Sequence, residues 1–153
     1  MASWAEFERE APDLASSGRE TLFRGGASEA FLTTVPGPGL PRMHVVNVGI
    51  VAGRLLVFVQ GHSAKAKDLT TDGRYALHAF QDPAAPHEFL LRGRAIPIAD
   101  GELRAQAVAA WPFSPADDYP LFELDIAHAI LGERATANDW PPKYASWRAE
   151  AQK

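Results

Sequence analysis

The strongest constraint on the fold of this chain is a series of β-rich segments joined by connections too short to contain a helix. The first three segments span 29–35, 42–52 and 54–60, and they are separated by Pro36-Gly37-Pro38-Gly39 and by Gly53. Neighbouring parallel strands need a crossover of about a dozen residues or more. The spacing therefore excludes βαβ alternation at this point and predicts an antiparallel meander.

Three later segments, 74–80, 87–98 and 121–126, are also predicted to be strands. The stretch up to residue 134 either extends the last of them or adds one more, which gives six or seven strands. Helices are predicted to begin at a capping box at Ser3 and to span 13–23, 63–71, 100–111 and 143–150. A closed or split antiparallel barrel with inserted helices accounts for this order, because closure removes the edges of the sheet.

Composition restricts the classes of function. The 153 residues include no cysteine, which excludes disulfides and thiolate metal sites, and the net charge of −4 disfavours general nucleic-acid binding. The first ten residues do not have the pattern of a signal peptide, and no apolar run approaches the roughly 20 residues of a membrane span. We therefore expect a cytoplasmic protein that binds neither nucleic acid nor membranes.

The segment Ser63-Ala64-Lys65-Ala66-Lys67-Asp68-Leu69 is the strongest candidate for a ligand site. A helix that begins after a strand presents free backbone N–H groups and a partial positive charge, and these bind anions. Ser63 adds a hydroxyl group and Lys65 adds a full charge in the first turn, where the helix dipole favours an acid. The segment therefore predicts a phosphate site, although an ordinary solvated helix with a serine cap fits the pattern equally well.

Other polar residues give weaker signals. Arg42, at the start of the second strand, is a candidate for a second basic group at the same anion. His62 precedes Ser63 and could hydrogen-bond a ligand, but no two histidines have the spacing of a metal site, and none is predicted. Glu123 and Asp125 alternate with apolar residues and are expected to face solvent. Trp140 and Trp147 follow the last strand and are candidates for closing over a planar ligand.

Five stretches resemble one family in their order and spacing. They are Pro41-Arg42-Met43-His44-Val45-Val46, Gly53-Arg54-Leu55, Ser63-x-Lys65-x-x-Asp68-Leu69, Arg74-Tyr75-Ala76-Leu77 and Phe89-Leu90-Leu91-Arg92-Gly93-Arg94-Ala95. Together they are similar to the pyridoxamine 5′-phosphate oxidase-like FMN-binding split-barrel proteins, over roughly residues 4–126. The resemblance implies a mainly β protein, a six-stranded antiparallel split β-barrel that forms a homodimer, with a flavin at each of two subunit interfaces.

We accordingly predict a single FMN-binding domain over 1–153, with N-terminal helices in 1–24, the barrel with its inserted helices in 28–134, and a C-terminal tail and helix in 140–153. The resemblance implies that Ser63 and Lys65 hold the cofactor phosphate. It further implies that the strand begun by Arg42 runs beside the flavin ring. The complete predicted cofactor-binding set is Arg42, Met43, His44, Val45, Val46, Asn47, Val59, Gln60, His62, Ser63, Lys65 and Glu88.

The chain also departs from the family's oxidase. Ala64 stands where that enzyme often has an arginine, while Asn47 and Glu88 stand near its lysine and glutamine. The C-terminal motif that reads pyridoxal phosphate is not evident after Trp140. Vitamin B6 oxidation is therefore not expected, and the family implies instead a flavin-dependent reductase of unidentified substrate or a member that uses a deazaflavin.

Three hypotheses for function follow. The first is an FMN-binding oxidoreductase of a small-molecule substrate, in which no catalytic acid or base is identified. The second is a deazaflavin-dependent reductase on the same barrel. The third is a non-enzymatic binding protein for flavin, haem or another planar anion, in which His44, His62 or His78 could bind iron.

Overall fold

The computed structural model describes residues 1–150, which form a β-barrel with helices packed around it. The strands are β1 Glu29–Thr34, β2 Arg42–Val51, β3 Arg54–Phe58, β4 Arg74–Ala79, β5 Glu88–Pro97, β6 Leu121–Glu133 and β7 Lys143–Arg148. The helices are α1 Trp4–Glu10, α2 Pro12–Leu22, α3 Ala64–Thr71 and α4 Gly101–Ala110, with a short 3₁₀ turn at Arg24–Gly26. Among the described helices, none has the length and hydropathy needed to cross a bilayer.

Six strands close the barrel in the order β3-β2-β1-β4-β5-β6, and β3 pairs with β6 to complete it. Every neighbouring pair is antiparallel. The predicted mainly β, six-stranded antiparallel barrel is therefore confirmed. The ladder between β5 and β6 changes register between Arg92 and Gly93, as expected for a bulge. A side chain at Gly93 would overlap the carbonyl oxygen of Asp125, so only glycine fits this crossing.

The barrel interior forms the main hydrophobic core. Alternate residues of each strand face inward, as the two-residue period of a strand requires, and α1, α2 and α3 contribute Trp4, Leu14 and Leu69 to the same cluster. A second cluster lies outside the barrel, where Leu103 and Trp111 at α4 cover the outer side of β3. The outer sides of β3 and of one half of β2 are therefore covered, while those of β1, β4 and the start of β2 are left open.

The predicted C-terminal helix over 143–150 is wrong, because this segment forms β7. β7 pairs with the last six residues of the 13-residue strand β6, from His128 to Glu133. Nonlocal pairing along that free edge overrides the helix propensity of the local sequence.

The prediction that Glu123 faces solvent is also wrong. Its side chain is buried, and Nη1 of Arg54 donates a hydrogen bond to its carboxylate at 2.8 Å. Burial raises the pKa of Glu123, while the nearby Arg54 lowers it. Asp125 is half-buried, and burial raises its pKa as well. Glu123 therefore helps to hold β3 and β6 together through Arg54 rather than to solvate the sheet.

Candidate functional site

The N-terminus of α3 is built as the sequence predicts. Ser63 caps the helix by accepting a hydrogen bond from the backbone N–H of Ala66 at 3.2 Å, and its hydroxyl donates to the carbonyl of Gln60 at 2.7 Å. The backbone N–H groups of the first helical residues, Ala64 and Lys65, have no partner within the helix. The first turn contains no acidic residue. This end of α3 therefore presents donors and positive charge.

Lys65 is half-buried and turned toward β2. Its ammonium is near enough to His44 to lower the pKa of that imidazole. Within residues 1–150 it forms no ion pair. Lys67, by contrast, is exposed and lines a concavity of about 620 Å³ that Ser63 and Ala64 also line and Lys65 does not. Because residues two apart on a helix point to nearly opposite sides, the two lysines flank the N-terminus of α3 from different directions.

A buried carboxylate ties α3 to the barrel wall. The side chain of Asp68 is only 2% exposed, and its Oδ2 accepts hydrogen bonds from Thr34 Oγ1 at 2.8 Å and from Arg42 Nε at 3.0 Å. Thr34 lies at the end of β1, directly opposite Arg42 at the start of β2. Because a buried charge is tolerated only when it is paired and hydrogen-bonded, these three residues hold the corner in one arrangement. Because Arg42 binds Asp68 through Nε, its two terminal nitrogens can donate to another acceptor.

The same network determines which ring nitrogen of His44 carries the proton. The Thr34 hydroxyl has one hydrogen, which it donates to Asp68, so it accepts from His44 Nε2 at 3.0 Å. In the neutral ring, Nδ1 is then an acceptor. Burial is the main cause that lowers the pKa of His44, followed by the charge of Lys65. His44 is therefore a neutral imidazole at pH 7, with an acceptor at Nδ1.

The structure brings four predicted residues together at this corner. We call Arg42, His44, Ser63 and Lys65, with Asp68 and Thr34 behind them, the α3 corner. Asp68 belongs to the predicted segment but has no predicted role, and Thr34 is not among the predicted site residues. Their contacts span 26 to 34 residues of chain, so no local pattern could have revealed them.

The other predicted residues lie at varied distances from the α3 corner. Val46 and Val59 are buried, so only their backbones can meet a ligand, while Gln60 and His62 lie in the exposed turn before Ser63. Asn47 is five residues along β2, roughly 17 Å from Arg42, and it accepts from Ser28. Glu88 accepts a hydrogen bond from Tyr144 at 2.8 Å, at the same far end of the barrel wall as Asn47. One copy of the chain therefore does not bring Asn47 or Glu88 to the α3 corner.

The barrel wall opens beside the α3 corner. β3 pairs with β2 only from Val48 to Val51, so residues 42–47 of β2 have β1 as their partner on one edge. On the other edge of this stretch, none of the described strands pairs with β2. Alternate backbone N–H and C=O groups of Met43 to Val46 are thus presented at a split in the wall.

An apolar surface adjoins this split. Met43 and Val45 are 69% and 59% exposed, and Phe31 stands opposite Val45 on β1. We call the outer side of β1, β4, β5 and the start of β2 the outer face. It contains a shallow trough of about 360 Å³. The residues that line the trough are Phe31, Thr33, Met43, Ala76, Leu77, His78 and Leu90.

His78 stands in the trough with one ring nitrogen fixed. Its Nδ1 lies 2.6 Å from the carbonyl oxygen of Ala79, which can only accept, so Nδ1 carries the proton. In the neutral ring Nε2 then keeps its lone pair. A histidine held this way by a backbone carbonyl is in the tautomer required for metal ligation through Nε2.

The two C-terminal tryptophans differ in their surroundings. Trp147 packs on Phe7 with the ring centres 5.0 Å apart, and its indole N–H donates to Glu10 at 3.2 Å, so it belongs to the contact between β7 and α1. Trp140 is 73% exposed and lies beneath the guanidinium of Arg134. Neither covers the α3 corner of its own chain.

Comparison with known proteins identifies the fold. No family model matches the chain, and no curated protein matches it. A heme-binding protein from Mycobacterium smegmatis is 18% identical with a TM-score of 0.64, covering 86% of this chain and 57% of its own. PhzG from Burkholderia lata 383, in complex with tetrahydrophenazine-1-carboxylic acid, is 13% identical with a TM-score of 0.65, covering 94% and 91%. HutZ from Vibrio cholerae, described as a heme storage protein, is 16% identical with a TM-score of 0.58, covering 76% and 89%.

These solved structures are split-barrel proteins, and the likeness establishes that fold for this chain. The chain spans just over half the length of the Mycobacterium smegmatis protein. At these levels of identity the comparison extends to the fold alone. The ligand and the chemistry must therefore be argued from the residues of this chain.

Proposed function

We propose that this protein binds FMN at the boundary between two copies of the chain and acts as a flavin-dependent oxidoreductase on a small molecule. The observation that carries the proposal is the α3 corner, where Lys65 lies in the first turn of a capped helix without an ion-pair partner among residues 1–150. A cation at this end of a helix opposes the helix dipole. A bound anion offsets that cost.

The donors at the α3 corner fit the phosphate group of FMN. Two free backbone N–H groups, the ammonium of Lys65 and the outer nitrogens of Arg42 can all donate to phosphate oxygens. Asp68 orients Arg42 through Nε at 3.0 Å and so positions the other guanidinium nitrogens before a ligand arrives. Pre-organised donors of this kind reduce the cost of ordering on binding.

The split beside β2 fits the edge of a flavin ring. Backbone donors and acceptors from Met43 to Val46 are unpaired on the side where β3 departs, and the ring edge offers complementary groups. His44 contributes an acceptor at Nδ1 next to the phosphate corner. When FMN is bound it supplies the hydride or electron chemistry. The residues of the chain bind it, orient it and exclude water from one side.

The outer face supports a homodimer. Met43, Val45 and Phe31 form a contiguous apolar patch on a wall that no helix of residues 1–150 covers. Large exposed apolar patches are typical of interaction surfaces. A second copy would pack on this patch and form the second wall of the trough, which stays available to a ligand between the two chains. It would also bring Asn47 and Glu88, which are remote from the α3 corner of their own chain, toward the cofactor of the partner.

A deazaflavin coenzyme would use the same α3 corner, since it also carries a phosphate group. Titration of the apoprotein with FMN and with a phosphate-bearing deazaflavin separates the two cofactors. Tighter binding of FMN supports the proposal, and a clear preference for the deazaflavin would replace it.

Haem binding is a second candidate function, and His78 is the observation that favours it. His78 lines an apolar trough, and its Nδ1–H is held by the carbonyl of Ala79, which leaves Nε2 as the nitrogen for iron. The heme-binding proteins among the solved split barrels make haem a relevant ligand to test. A Soret band that appears on addition of haemin and is lost in His78→Ala would support this function.

The direct experiment for the main proposal is a visible spectrum of the purified protein before and after incubation with FMN and gel filtration. Retained flavin absorbance, together with a dimeric mass from light scattering, is expected. NADH- or NADPH-dependent reduction of the bound flavin would then identify an enzyme. A protein that stays colourless after incubation would overturn the flavin proposal.

A further inference from the structure

Three basic side chains form a row on the outer side of β5, β6 and β7, which adjoins the outer face and is remote from the α3 corner. Arg92 on β5 stands opposite His128 on β6, and His128 stands opposite Arg148 on β7. Directly opposed residues in an antiparallel ladder point to the same side of the sheet, with Cβ atoms about 5 Å apart. The three side chains therefore share one surface.

His128 is held within this row as a hydrogen-bond donor. It is only 7% exposed, and Nη2 of Arg92 lies 2.7 Å from its Nδ1. A guanidinium only donates, so Nδ1 accepts and the proton of the neutral ring is on Nε2. Nε2 makes no hydrogen bond to the residues the structure describes, and it is not among the atoms sealed from solvent.

The charge of the row is not balanced by acids. Neither Arg92 nor Arg148 forms an ion pair within residues 1–150. Burial, then Arg148, then Arg92 lower the pKa of His128, and no carboxylate raises it. Two guanidinium groups and one imidazole N–H are thus gathered on one surface, a cost that an anionic ligand offsets.

We propose that Arg92, His128 and Arg148 form an anion-recognition site for the carboxylate or phosphate of a flat, mainly apolar substrate. The identification of the ligand as a substrate rests on the proposed oxidoreductase function, but the site itself does not.

The outer face provides space for the body of such a ligand. The same register that joins Arg92 to His128 leads in the other direction to Ala76, Thr33 and Met43. Ala76 and Thr33 are short and line the trough, while Met43 belongs to the strand proposed to run beside the flavin. From β5 to β2 is three strand spacings, about 14 Å, which suits a molecule of two or three fused rings.

The test is isothermal titration of the purified protein with 2-naphthoate and with its neutral analogue 2-naphthalenemethanol. The wild-type protein is expected to bind the carboxylate at least about tenfold more tightly than the alcohol. Arg92→Gln should abolish that preference, as the loss of a charged hydrogen bond predicts. Arg148→Gln, at an exposed position of the edge strand, should reduce it. Arg9→Gln removes the same charge from exposed α1 and should leave the preference unchanged.

The outcomes distinguish failure of the anion site from failure of FMN binding. Equal binding of the two naphthalenes, or equal losses in Arg9→Gln and Arg92→Gln, would overturn the anion site even if FMN binds normally. A carboxylate preference that depends on Arg92 and Arg148 would support the site even if FMN fails to bind. Should Arg92→Gln not fold, Arg148→Gln alone decides.

Discussion

Replacing Lys65 with alanine is the most informative single change, because two properties should move in opposite directions. If Lys65 holds the cofactor phosphate, Lys65→Ala removes a charge-assisted hydrogen bond worth about 1.5–3 kcal/mol. The dissociation constant for FMN should then rise about 10- to 150-fold. Arg42 cannot compensate fully, since its charge is already opposed by the buried carboxylate of Asp68 at 3.0 Å.

The same substitution should stabilise the protein without its ligand. A cation in the first turn opposes the helix dipole by about 0.3–1 kcal/mol, and alanine is the best helix former. The melting temperature of the apoprotein should therefore rise by about 1–3 °C. Flavin fluorescence quenching measures the first quantity and differential scanning calorimetry the second.

Lys67→Ala is the matched control. Lys67 lies on the same helix but points away from Arg42 and His44, because it is two residues on from Lys65, so its loss should change FMN affinity less than about threefold. Unchanged affinity in Lys65→Ala, or an equal loss in Lys67→Ala, would refute the assignment of the phosphate to the α3 corner. Lower apoprotein stability in Lys65→Ala would show that the ammonium has a structural partner.

Four further outcomes follow from the geometry. Titration of His44 by NMR should give a higher pKa in Lys65→Ala than in the wild type, because removing a nearby cation favours the charged ring. In the wild type, the pKa of His44 is lower in the folded than in the unfolded state. The free energy of unfolding should therefore decrease as the pH falls through 6.5. Thr34→Val should lower the free energy of unfolding by about 1–3 kcal/mol in urea, because it removes one of the two hydrogen bonds to the buried Asp68 carboxylate and leaves the Nε2–H of His44 without its acceptor. Gly93→Ala should lower it by more than about 3 kcal/mol, because the added carbon overlaps the carbonyl of Asp125.

These predictions have control variants or results that would contradict them. Thr33→Val changes the neighbouring, half-buried threonine and should be nearly neutral. Gly101→Ala adds a carbon where nothing lies within 4 Å and should not destabilise the protein. A pKa of His44 that is the same in Lys65→Ala as in the wild type would place the ammonium away from the imidazole. If Thr34→Val and Thr33→Val unfold at the same urea concentration, the proposed network does not contribute to stability.

The sequence predicts the barrel well because its strands are separated by strong local signals. Gly53 occupies a left-handed turn at φ 72°, and the hairpin it makes between β2 and β3 is visible as a break between two apolar runs. β7 is missed because its formation depends on the free edge of β6, which is known only once the barrel has closed. Glu123 is misplaced for the same reason: alternation predicts a side of the strand, but not whether another element covers that side.

The candidate site likewise combines residues that have a local sequence signal with residues that come together only in the folded barrel. The Ser63 cap and the cation at Lys65 are consequences of a local helix signal and could be predicted from the segment itself. The buried role of Asp68 could not, since its partners Thr34 and Arg42 come from two other strands. Nor could the row formed by Arg92 and His128, because that pairing is created by the register of β5 on β6 beyond the bulge.

The charge balance at the α3 corner favours an anion over a neutral ligand. Arg42 and Lys65 carry two positive charges, Asp68 one negative charge, and His44 is neutral, so the corner is left with one net positive charge and free backbone donors. The outer face is different, because there His78 lines an apolar trough and its Nδ1, not its Nε2, is engaged by the backbone. The two candidate ligands therefore depend on separate residues, and crossed variants distinguish them. Lys65→Ala should weaken FMN and leave haemin unchanged, and His78→Ala should do the reverse. A protein in which both variants weaken both ligands would contradict the separation of the two sites.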